Sequence, residues 1–266
     1  MREPIVIRAG AGEVIGDSAG RRVELLAEDD AMHATCTRLG PRREGTDLHV
    51  HRRHTDVFYV LAGELTVRLG PAGDPVAAPA GTLVRVPPLV VHAYRNRGDA
   101  DVRFVNVHAP GRGFAAYLRA LRDGRPHDFD QEPPPDDGGR PPAEASVGAG
   151  HEPVARDGAH VRLLADAEEL GVAEVERVAG APPAPAHVHR RHTEALYALD
   201  GELTVTVAGR PLRLDAGAWL TVPAGAPHAV WSPGPARFLE IHAPGGGYGA
   251  FVRGEQAAFD QQPAGW

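Results

Sequence analysis

The sequence contains no lysine and almost no cysteine, and it has no long hydrophobic run. All 28 basic residues of the 266-residue chain are arginine, which excludes reactions that proceed through a lysine Schiff base. Cys36 is the single cysteine, so an internal disulfide, a thiolate zinc site and a CxxC redox motif are excluded. No segment approaches the roughly 18 consecutive apolar residues that span a bilayer. These absences predict a soluble cytoplasmic protein with no membrane partner.

Basic residues are also outnumbered by acidic ones, which bears on the choice of partner. The formal net charge is −7 at pH 7, whereas proteins that bind nucleic acid need clustered basic residues to neutralise phosphates. We therefore predict no nucleic-acid partner. The sequence leaves open whether the chain forms a homo-oligomer.

The chain contains an internal repeat. The stretch HVHRRHTD at residues 49–56 returns as HVHRRHTE at residues 187–194, with only the last carboxylate changed. Further matched segments are RVELLAED and HVRLLADA, AGTLVRVP and AGAWLTVP, RFVNVHAPGRGF and RFLEIHAPGGGY, and a closing FDQ at residues 129–131 and 259–261. A repeat of this extent predicts two domains of similar structure.

The segment between the repeats has the composition of a linker. It reads EPPPDDGGRPPAE, and its proline, glycine and aspartate residues favour an extended chain over a regular element. We therefore predict an N-terminal domain at residues 1–136, a linker at residues 137–142 and a C-terminal domain at residues 143–266.

Each repeat has the pattern of a β-protein. FYVLAGELTVRL and LYALDGELTVTV are rich in β-branched and aromatic residues on both sides of a Gly-Glu turn, and TLVRVP and WLTVP are short apolar runs that end at proline. Short strands at this spacing favour a jelly-roll β-barrel. In FAAYLRALRDG, Phe114, Tyr117, Leu118 and Leu121 form one helical stripe before a glycine. The predicted fold class is all-β, with two tandem barrels and a short helix after each.

Each histidine cluster has the pattern of a metal site. Alternate residues of a strand face the same side, so the two histidines of each HVH point together. The carboxylate that ends each cluster lies where the chain turns into the next strand and can return to the same point. The final histidine of PPLVVH or PAGAPH can supply a fourth ligand. The candidate ligands are His187, His189, Glu194 and His228 in the second repeat, and His49, His51, Asp56 and His92 in the first.

Three neutral imidazoles and one carboxylate form a nitrogen and oxygen site that suits Fe, Mn, Ni, Co, Cu or Zn. Such a set leaves one or two positions open for other ligands, which is typical of a catalytic site. We therefore predict one divalent transition metal per repeat and no organic cofactor.

Four other histidines also recur in the repeat. His54 and His192 have the wrong strand parity for a ligand, and we predict that they lie in solvated turns. His108 and His242 belong to the last strand of each repeat. Two roles are open for them: hydrogen bonding or proton transfer beside the ligands, or anchoring of the turn into the helix.

These spacings carry a family resemblance. GxxxHxHxxxxDxxxxxxG at residues 45–63 and HxHxxxxExxxxxxG at residues 187–201 resemble the first cupin motif. GxxxxxPxGxxH at residues 217–228 and GxxxxxPxxxxH at residues 81–92 resemble the second. The chain is therefore similar to a bicupin over nearly its whole length, and it resembles the quercetinase-like dioxygenases among them.

The resemblance implies a fold and a reaction class. It implies two cupin domains and a small-molecule substrate, with a mononuclear metal-dependent dioxygenase as the first interpretation. In that interpretation the substrate is a small organic compound, aromatic or flavonol-like, and Glu194 accepts a proton, as does Asp56 in the other domain. The alternative is a metal-bearing protein that binds a small molecule without turnover, because one fold hosts many functions.

The first repeat departs from the cupin pattern more than the second at the ligands. Asp56 is one methylene shorter than the usual glutamate, and Leu89 replaces the glycine that the second repeat keeps as Gly225. The second repeat in turn has Pro183 in the place of Gly45. We predict tighter metal binding in the second repeat.

Overall fold

A computed structural model describes residues 3–255 and 259–264, so the extreme ends of the two sequence-predicted domains lie outside the described residues. The first half of the chain forms β1 (Ile5–Ile7), β2 (Glu13–Ser18), β3 (Arg21–Glu28), β4 (His33–Leu39), β5 (Thr55–Ala62), β6 (Glu64–Leu69), β7 (Asp74–Pro79), β8 (Leu83–Val86), β9 (His92–Arg95), β10 (Val102–Ala109) and α1 (Phe114–Arg122).

A short 3-10 turn (Pro142–Glu144) precedes the elements of the second half. These are β11 (Ser146–Gly148), β12 (Val154–Arg156), β13 (Ala159–Asp166), β14 (Gly171–Arg177), β15 (His187–Val188), β16 (Thr193–Asp200), β17 (Glu202–Val207), β18 (Arg210–Asp215), β19 (Trp219–Val222), β20 (His228–Trp231), β21 (Ala236–Ala243), α2 (Tyr248–Val252) and β22 (Gln262–Pro263). Among the described residues the fold is all-β with one short helix after each barrel, as the sequence predicts.

The chain forms two compact units whose boundaries differ from the division at residues 137–142. One unit, called here the N-terminal unit, comprises Glu13–Ala149. The other, the C-terminal unit, comprises Gly150–Trp266 together with the segment Met1–Gly12. The linker predicted at residues 137–142 is part of the N-terminal unit, because Arg140 donates its backbone N–H to the carbonyl of Leu89 at 2.9 Å.

The N-terminal unit contains two sheets. The larger has the strand order β11-β8-β5-β10-β4-β3-β2, and the smaller has the order β7-β6-β9. Strands β5 and β6 lie on either side of the Gly-Glu turn predicted in FYVLAGELTVRL, with β5 in the larger sheet and β6 in the smaller one. The apolar core of the unit includes Phe58 of β5, Leu65 of β6 and Phe104 of β10, all fully buried.

The C-terminal unit repeats this arrangement. Its larger sheet has the order β1-β19-β16-β21-β14-β13-β12, and its smaller sheet has the order β18-β17-β20-β15-β22. Leu196, Leu203 and Leu220 lie in its core and are fully buried. In both units the strand that carries the last carboxylate of the histidine cluster pairs on both sides, with β8 and β10 or with β19 and β21, so Asp56 and Glu194 lie on central strands.

Helix α1 packs on the N-terminal barrel through part of its predicted apolar stripe. Phe114 and Leu118 are buried against Ile15, Val23 and Leu25. Leu121, which the sequence places on the same stripe, is 57% exposed. The apolar face of the helix is therefore shorter than the sequence pattern indicates.

His33 anchors the start of α1, and this contact should make the free energy of unfolding depend on pH. Its Nδ1 accepts a hydrogen bond from the backbone N–H of Ala115 at 2.9 Å, which requires the neutral ring, and burial lowers the pKa of His33. The unfolded chain then takes up a proton that the folded chain excludes. Between about pH 6.5 and the lowered pKa of folded His33, the free energy of unfolding should fall on acidification through this residue by at most about 1.4 kcal/mol per pH unit.

Denaturant unfolding of wild type and His33→Asn at several pH values checks this expectation. Asparagine offers an acceptor that does not titrate, so the variant should lose stability less steeply on acidification. Parallel stability curves for the two proteins would rule out His33 as a source of the pH dependence.

No helix in the described part of the chain has the length and apolar character needed to cross a membrane.

Candidate metal centres

The four candidate ligands of the second repeat lie together in the C-terminal unit. His187 begins β15, His189 follows that strand, Glu194 lies on β16 and His228 begins β20. Oε2 of Glu194 is 2.6 Å from Nε2 of His228, 3.0 Å from Nε2 of His189 and 4.0 Å from Nε2 of His187. One ligand atom from each residue lies within 4.8 Å of the others. Glu194 and His228 are fully buried.

Backbone carbonyls set the orientation of all three rings. The Nδ1 atoms donate to carbonyl oxygens as follows: His187 to Pro185 at 2.9 Å, His189 to Asp260 at 2.6 Å and His228 to Ala226 at 3.0 Å. A carbonyl only accepts, so each Nδ1 carries the hydrogen and each Nε2 of a neutral ring keeps a lone pair. The three lone pairs face the Glu194 carboxylate, which is the arrangement that metal-ligating histidines adopt.

The carboxylate of Glu194 is electrostatically bound to the rings around it. Burial disfavours its charge, but the positive charge of His228 and the hydrogen bonds that protonated His189 and His228 donate through Nε2 hold the pKa of Glu194 well below its usual range. Burial likewise opposes a charge on His228, yet the Glu194 carboxylate raises the pKa of that ring. Burial lowers the pKa of His187 to about 4. The site therefore presents an ionised carboxylate at neutral pH.

The N-terminal unit brings the corresponding four residues together, but less tightly. His49, His51 and His92 form a group whose ligand atoms lie within 4.8 Å of one another. Oδ2 of Asp56 is 3.3 Å from Nε2 of His92 and 3.7 Å from Nε2 of His51. Both separations are 0.7 Å longer than their counterparts in the C-terminal unit, which are 2.6 and 3.0 Å.

The shorter side chain of Asp56 accounts for the difference, together with its second partner. Its Oδ1 accepts a hydrogen bond from the Nδ2 group of Asn106 on β10. Backbone carbonyls again hold the three rings, with Nδ1 distances of 2.7 Å from His49 to Asp47, 2.5 Å from His51 to Asp130 and 3.0 Å from His92 to Val90. The two sites thus have the same arrangement of histidine rings held by backbone carbonyls, and they differ in the distance between the carboxylate and the rings.

The FDQ motif that closes each repeat fixes one ligand in each site. Asp130 accepts from His51 through its backbone carbonyl, and its carboxylate accepts the backbone N–H groups of Arg52 at 2.8 Å and Arg53 at 2.7 Å. Asp260 makes the equivalent contacts with His189 and with the backbone N–H of Arg191. These aspartates are functional candidates whose only signal in the sequence is the recurrence of FDQ at the end of each repeat.

The prediction that His54 and His192 lie in solvated turns is wrong. His54 is 1% exposed and His192 is 4% exposed. Nδ1 of His54 is 2.9 Å from Oδ2 of Asp130, and its Nε2 is 2.8 Å from Nδ1 of His108. His54 also stacks on His51, with ring centroids 4.0 Å apart.

The second repeat contains the same buried histidine pair. Nε2 of His192 is 3.0 Å from Nδ1 of His242, and the ring of His192 stacks on His189 with centroids 4.1 Å apart. Of the two roles open for His108 and His242, the structure therefore places both residues in hydrogen-bond contact beside the candidate ligands. In the N-terminal unit Nε2 of His108 lies 3.6 Å from Oδ1 of Asp56.

One position beside the carboxylate differs in charge between the units. Asn106 on β10 corresponds to Glu240 on β21 in the repeat. The hydroxyl of Tyr248 donates to Glu240 at 2.5 Å. Burial and the nearby Glu194 carboxylate raise the pKa of Glu240 to about 7. The C-terminal unit thus carries a second acidic group beside its site, where the N-terminal unit carries an amide.

Leu89 occupies a left-handed turn that the second repeat builds with glycine. Its φ is 68°, against 84° for Gly225. The backbone N–H of Leu89 donates to the carbonyl of His51 at 2.7 Å, and that of Gly225 donates to the carbonyl of His189 at 2.6 Å. The turn ties the segment before the fourth ligand to the histidine cluster, and a leucine there costs about 1–2 kcal/mol relative to glycine.

A cavity adjoins each site. In the N-terminal unit it has a volume of about 340 Å³ and reaches His49, His51 and Asp56. In the C-terminal unit the volume is about 220 Å³, and the cavity reaches His187 and Glu240. Residues of α1 or α2 form part of each wall, so the helix after each barrel shapes the space beside the candidate ligands.

Comparison with known proteins identifies the family. The sequence profile of the cupin domain matches residues 36–108 and 174–242, which together hold all eight candidate ligands. The chain is a cupin. Because the domain occurs twice, it is a bicupin, as its motifs indicate.

Relatives of this bicupin include enzymes of two kinds. It is 30% identical over 122 residues to a quercetin 2,3-dioxygenase of Bacillus subtilis, an alignment that spans 45% of this chain and 35% of that protein. Its fold matches a mutant of Bacillus subtilis oxalate decarboxylase with a TM-score of 0.64 at 19% identity, over 90% of this chain and 76% of that one. A formate complex of Lactobacillus farciminis oxalate decarboxylase matches with a TM-score of 0.66 at 14% identity, over 99% and 89%.

Proposed function

We propose that this bicupin is a metal-dependent dioxygenase that acts on a small organic substrate at the site of His187, His189, Glu194 and His228. The observation that carries the proposal is the geometry of that site. Three Nε2 atoms converge on one carboxylate while every Nδ1 is held by a backbone carbonyl. The 30% identity to a quercetin 2,3-dioxygenase supports the reaction class.

The residues fit a divalent transition metal. Oε1 of Glu194 is buried and has no hydrogen-bond partner among the described residues, and the same is true of Nε2 of His51 in the other unit. Buried polar atoms without partners are costly, and coordination would satisfy them. A bound metal would supply redox chemistry and polarise the substrate and dioxygen.

The protein would contribute orientation and proton transfer. Glu194 is ionised at neutral pH, so its carboxylate can accept a proton from an acidic hydroxyl group of the substrate. His189 is held in place by Asp260 and by the stacked ring of His192. Because Glu194 and His228 are fully buried, a substrate in the adjoining cavity would meet the site through its His187 side and would exclude water from it.

Elemental analysis followed by oxygen-uptake assays tests the proposal. The protein as purified should contain a transition metal and should consume oxygen with at least one compound in a panel of quercetin, catechol and other phenols. Oxalate, with formate and carbon dioxide as products, tests the chemistry of the structural relatives. In Glu194→Gln the rate should fall by about 100-fold or more, the scale of a lost general base.

Asp56→Asn provides the matched control, because it makes the same change in the looser site and should lower the rate less. A metal-loaded protein that consumes no oxygen with any of these compounds would contradict the dioxygenase. If it also forms no formate from oxalate, the result would support the alternative, a metal-bearing binding protein without turnover.

A further inference from the structure

Each unit has one arginine in an equivalent pair of residues on two neighbouring strands, but the arginine lies on the first strand of the pair in one unit and on the second strand in the other. In the N-terminal unit, Arg21 at the start of β3 pairs with Leu39 at the end of β4. In the C-terminal unit, Ala159 at the start of β13 pairs with Arg177 at the end of β14. Arg21 corresponds to Ala159 in the repeat, and Leu39 corresponds to Arg177. Each pair of residues therefore contains one guanidinium, which comes from the first strand in the N-terminal unit and from the second strand in the C-terminal unit.

Both guanidiniums contact the loop that leads to the histidine cluster. Arg21 donates to the carbonyl of Gly45 at 3.2 Å and to the hydroxyl of Tyr94 at 3.1 Å. Arg177 donates to the carbonyl of Pro182. In the repeat, Pro182 corresponds to the residue directly before Gly45. The two side chains thus reach neighbouring points from different strands.

Both guanidiniums also lack full partners. The Nε atoms of Arg21 and Arg177 are buried without a hydrogen-bond partner, and neither side chain is ion-paired with a carboxylate of the described residues. Arg177 is only 3% exposed, whereas Arg21 is half-buried.

Acidic residues do line the two cavities, but none of those described forms an ion pair with these guanidiniums. Beside Arg177, Asp157 is paired with Arg156 at 3.4 Å and Glu240 accepts from the Tyr248 hydroxyl. Beside Arg21 the acidic residues are Glu44, Asp47 and Asp56. A buried cation without an anion is costly, which points to an anion that comes from outside the chain.

The cavity beside each candidate metal site provides the place for that anion. Arg21 and Tyr94 line the N-terminal cavity together with His49, and Arg177 lines the C-terminal cavity together with His187. Aromatic side chains from the following helix complete each wall: Phe114 and Tyr117 in the N-terminal cavity, Tyr248 and Phe251 in the C-terminal one.

We propose that each cavity binds a small organic acid with an aromatic body, and that Arg21 or Arg177 receives its carboxylate. The planar guanidinium matches a carboxylate in shape and charge, while the aromatic walls accept a ring. Cavities of about 340 and 220 Å³ have room for one substituted ring. Binding of the acid does not depend on the proposed function. Only the statement that this acid is the substrate of the adjoining site rests on it.

The experiment compares benzoate with benzamide, which have the same ring and nearly the same shape but differ in charge. Dissociation constants are measured by calorimetry or ligand-observed NMR on the metal-loaded protein, and metal content and melting temperature are recorded for each variant. Wild type should prefer benzoate by about tenfold or more, the scale of a hydrogen bond to a charged group. Arg21→Leu with Arg177→Leu should abolish the preference while the metal is retained.

Exchange variants separate recognition of charge from a structural role in the loop. The test is made in the Arg177→Leu background, so that only the N-terminal cavity carries a guanidinium. There, Arg21→Ala with Leu39→Arg copies the arrangement of the C-terminal unit. Its ratio of benzoate to benzamide affinity should lie within about threefold of the ratio for the Arg177→Leu protein that keeps Arg21. Arg21→Lys keeps the positive charge but lacks the planar guanidinium, so it should retain part of the preference for benzoate.

A wild-type protein that binds benzoate and benzamide equally, or binds neither, would overturn the inference and leave the metal content and oxygen uptake of the proposed function unaffected. A preference for benzoate that persists in the double leucine variant would also overturn it, because the carboxylate would then bind elsewhere, for example at the metal. These comparisons use ratios of affinity, which a general loss of stability does not mimic.

Discussion

Removing two ligands from the C-terminal site, by His187→Ala with His189→Ala, should eliminate most of the tightly bound metal and all oxygen-dependent activity. The reason is the close approach of Glu194, whose Oε2 lies 2.6 and 3.0 Å from Nε2 of His228 and His189. The matched variant His49→Ala with His51→Ala should remove less metal, because Asp56 lies 3.3 and 3.7 Å from the corresponding atoms. Metal per chain after mild chelation measures both effects.

Three outcomes of that comparison are informative. A larger loss from the second variant would show that the N-terminal site is the tighter one and would reverse the ranking. Equal losses would show that the change from glutamate to aspartate is neutral. Retention of all metal in both double variants would contradict imidazole ligation at either site.

Exchanging the two carboxylates should shift metal affinity in opposite directions. Asp56→Glu adds the missing methylene and should tighten the N-terminal site, whereas Glu194→Asp should weaken the C-terminal site. We expect each change to be about tenfold or more, since even residues behind the ligands alter metal affinity by about 10–100-fold. Competition with a chromophoric chelator measures the affinity of each variant.

Each carboxylate exchange is made in a protein in which both histidines of the HVH motif in the other unit are replaced by alanine. The measured metal affinity then belongs to one site. The melting temperature of each variant is measured beside wild type, because the glutamate introduced at position 56 adds volume to a buried site. Equal affinities of the glutamate and aspartate forms in both units would show that side-chain length does not set the difference between the sites.

Much of the fold could be predicted from the sequence because its signals are local and occur twice. The alternation and β-branched content of FYVLAGELTVRL and LYALDGELTVTV correspond to β5–β6 and β16–β17. The repeated histidine spacing indicated candidate ligands that do lie together. In the second repeat His187 pairs with His228 in the smaller sheet, and Glu194 lies on β16 of the larger sheet of the same unit.

The surroundings of the ligands could not be predicted from those local signals. Strand parity placed His54 and His192 in solvated turns, but the chain leaves the strand pattern after each HVH, so parity no longer applies. Their actual partners, Asp130 and Asp260, lie far along the chain. A contact between such distant positions has no periodic signature, although the recurrence of FDQ at the end of both repeats was the available clue.

The exchange of an arginine between paired strands was hidden for a different reason. Alignment of the repeats sets Arg21 against Ala159 and Leu39 against Arg177, so each position taken alone looks variable. Only the strand register, which pairs position 21 with 39 and position 159 with 177, shows that one guanidinium is kept in each unit.

X-ray absorption at the metal edge tests the central claim most directly when it is recorded on the His49→Ala, His51→Ala protein, in which the C-terminal site alone remains intact. The geometry predicts nitrogen and oxygen ligands at about 2.0–2.2 Å, with outer-sphere scattering from three imidazole rings and no sulfur neighbour. A spectrum with sulfur, with fewer than three imidazoles or with no bound metal would contradict the assignment of His187, His189, Glu194 and His228 as the ligand set.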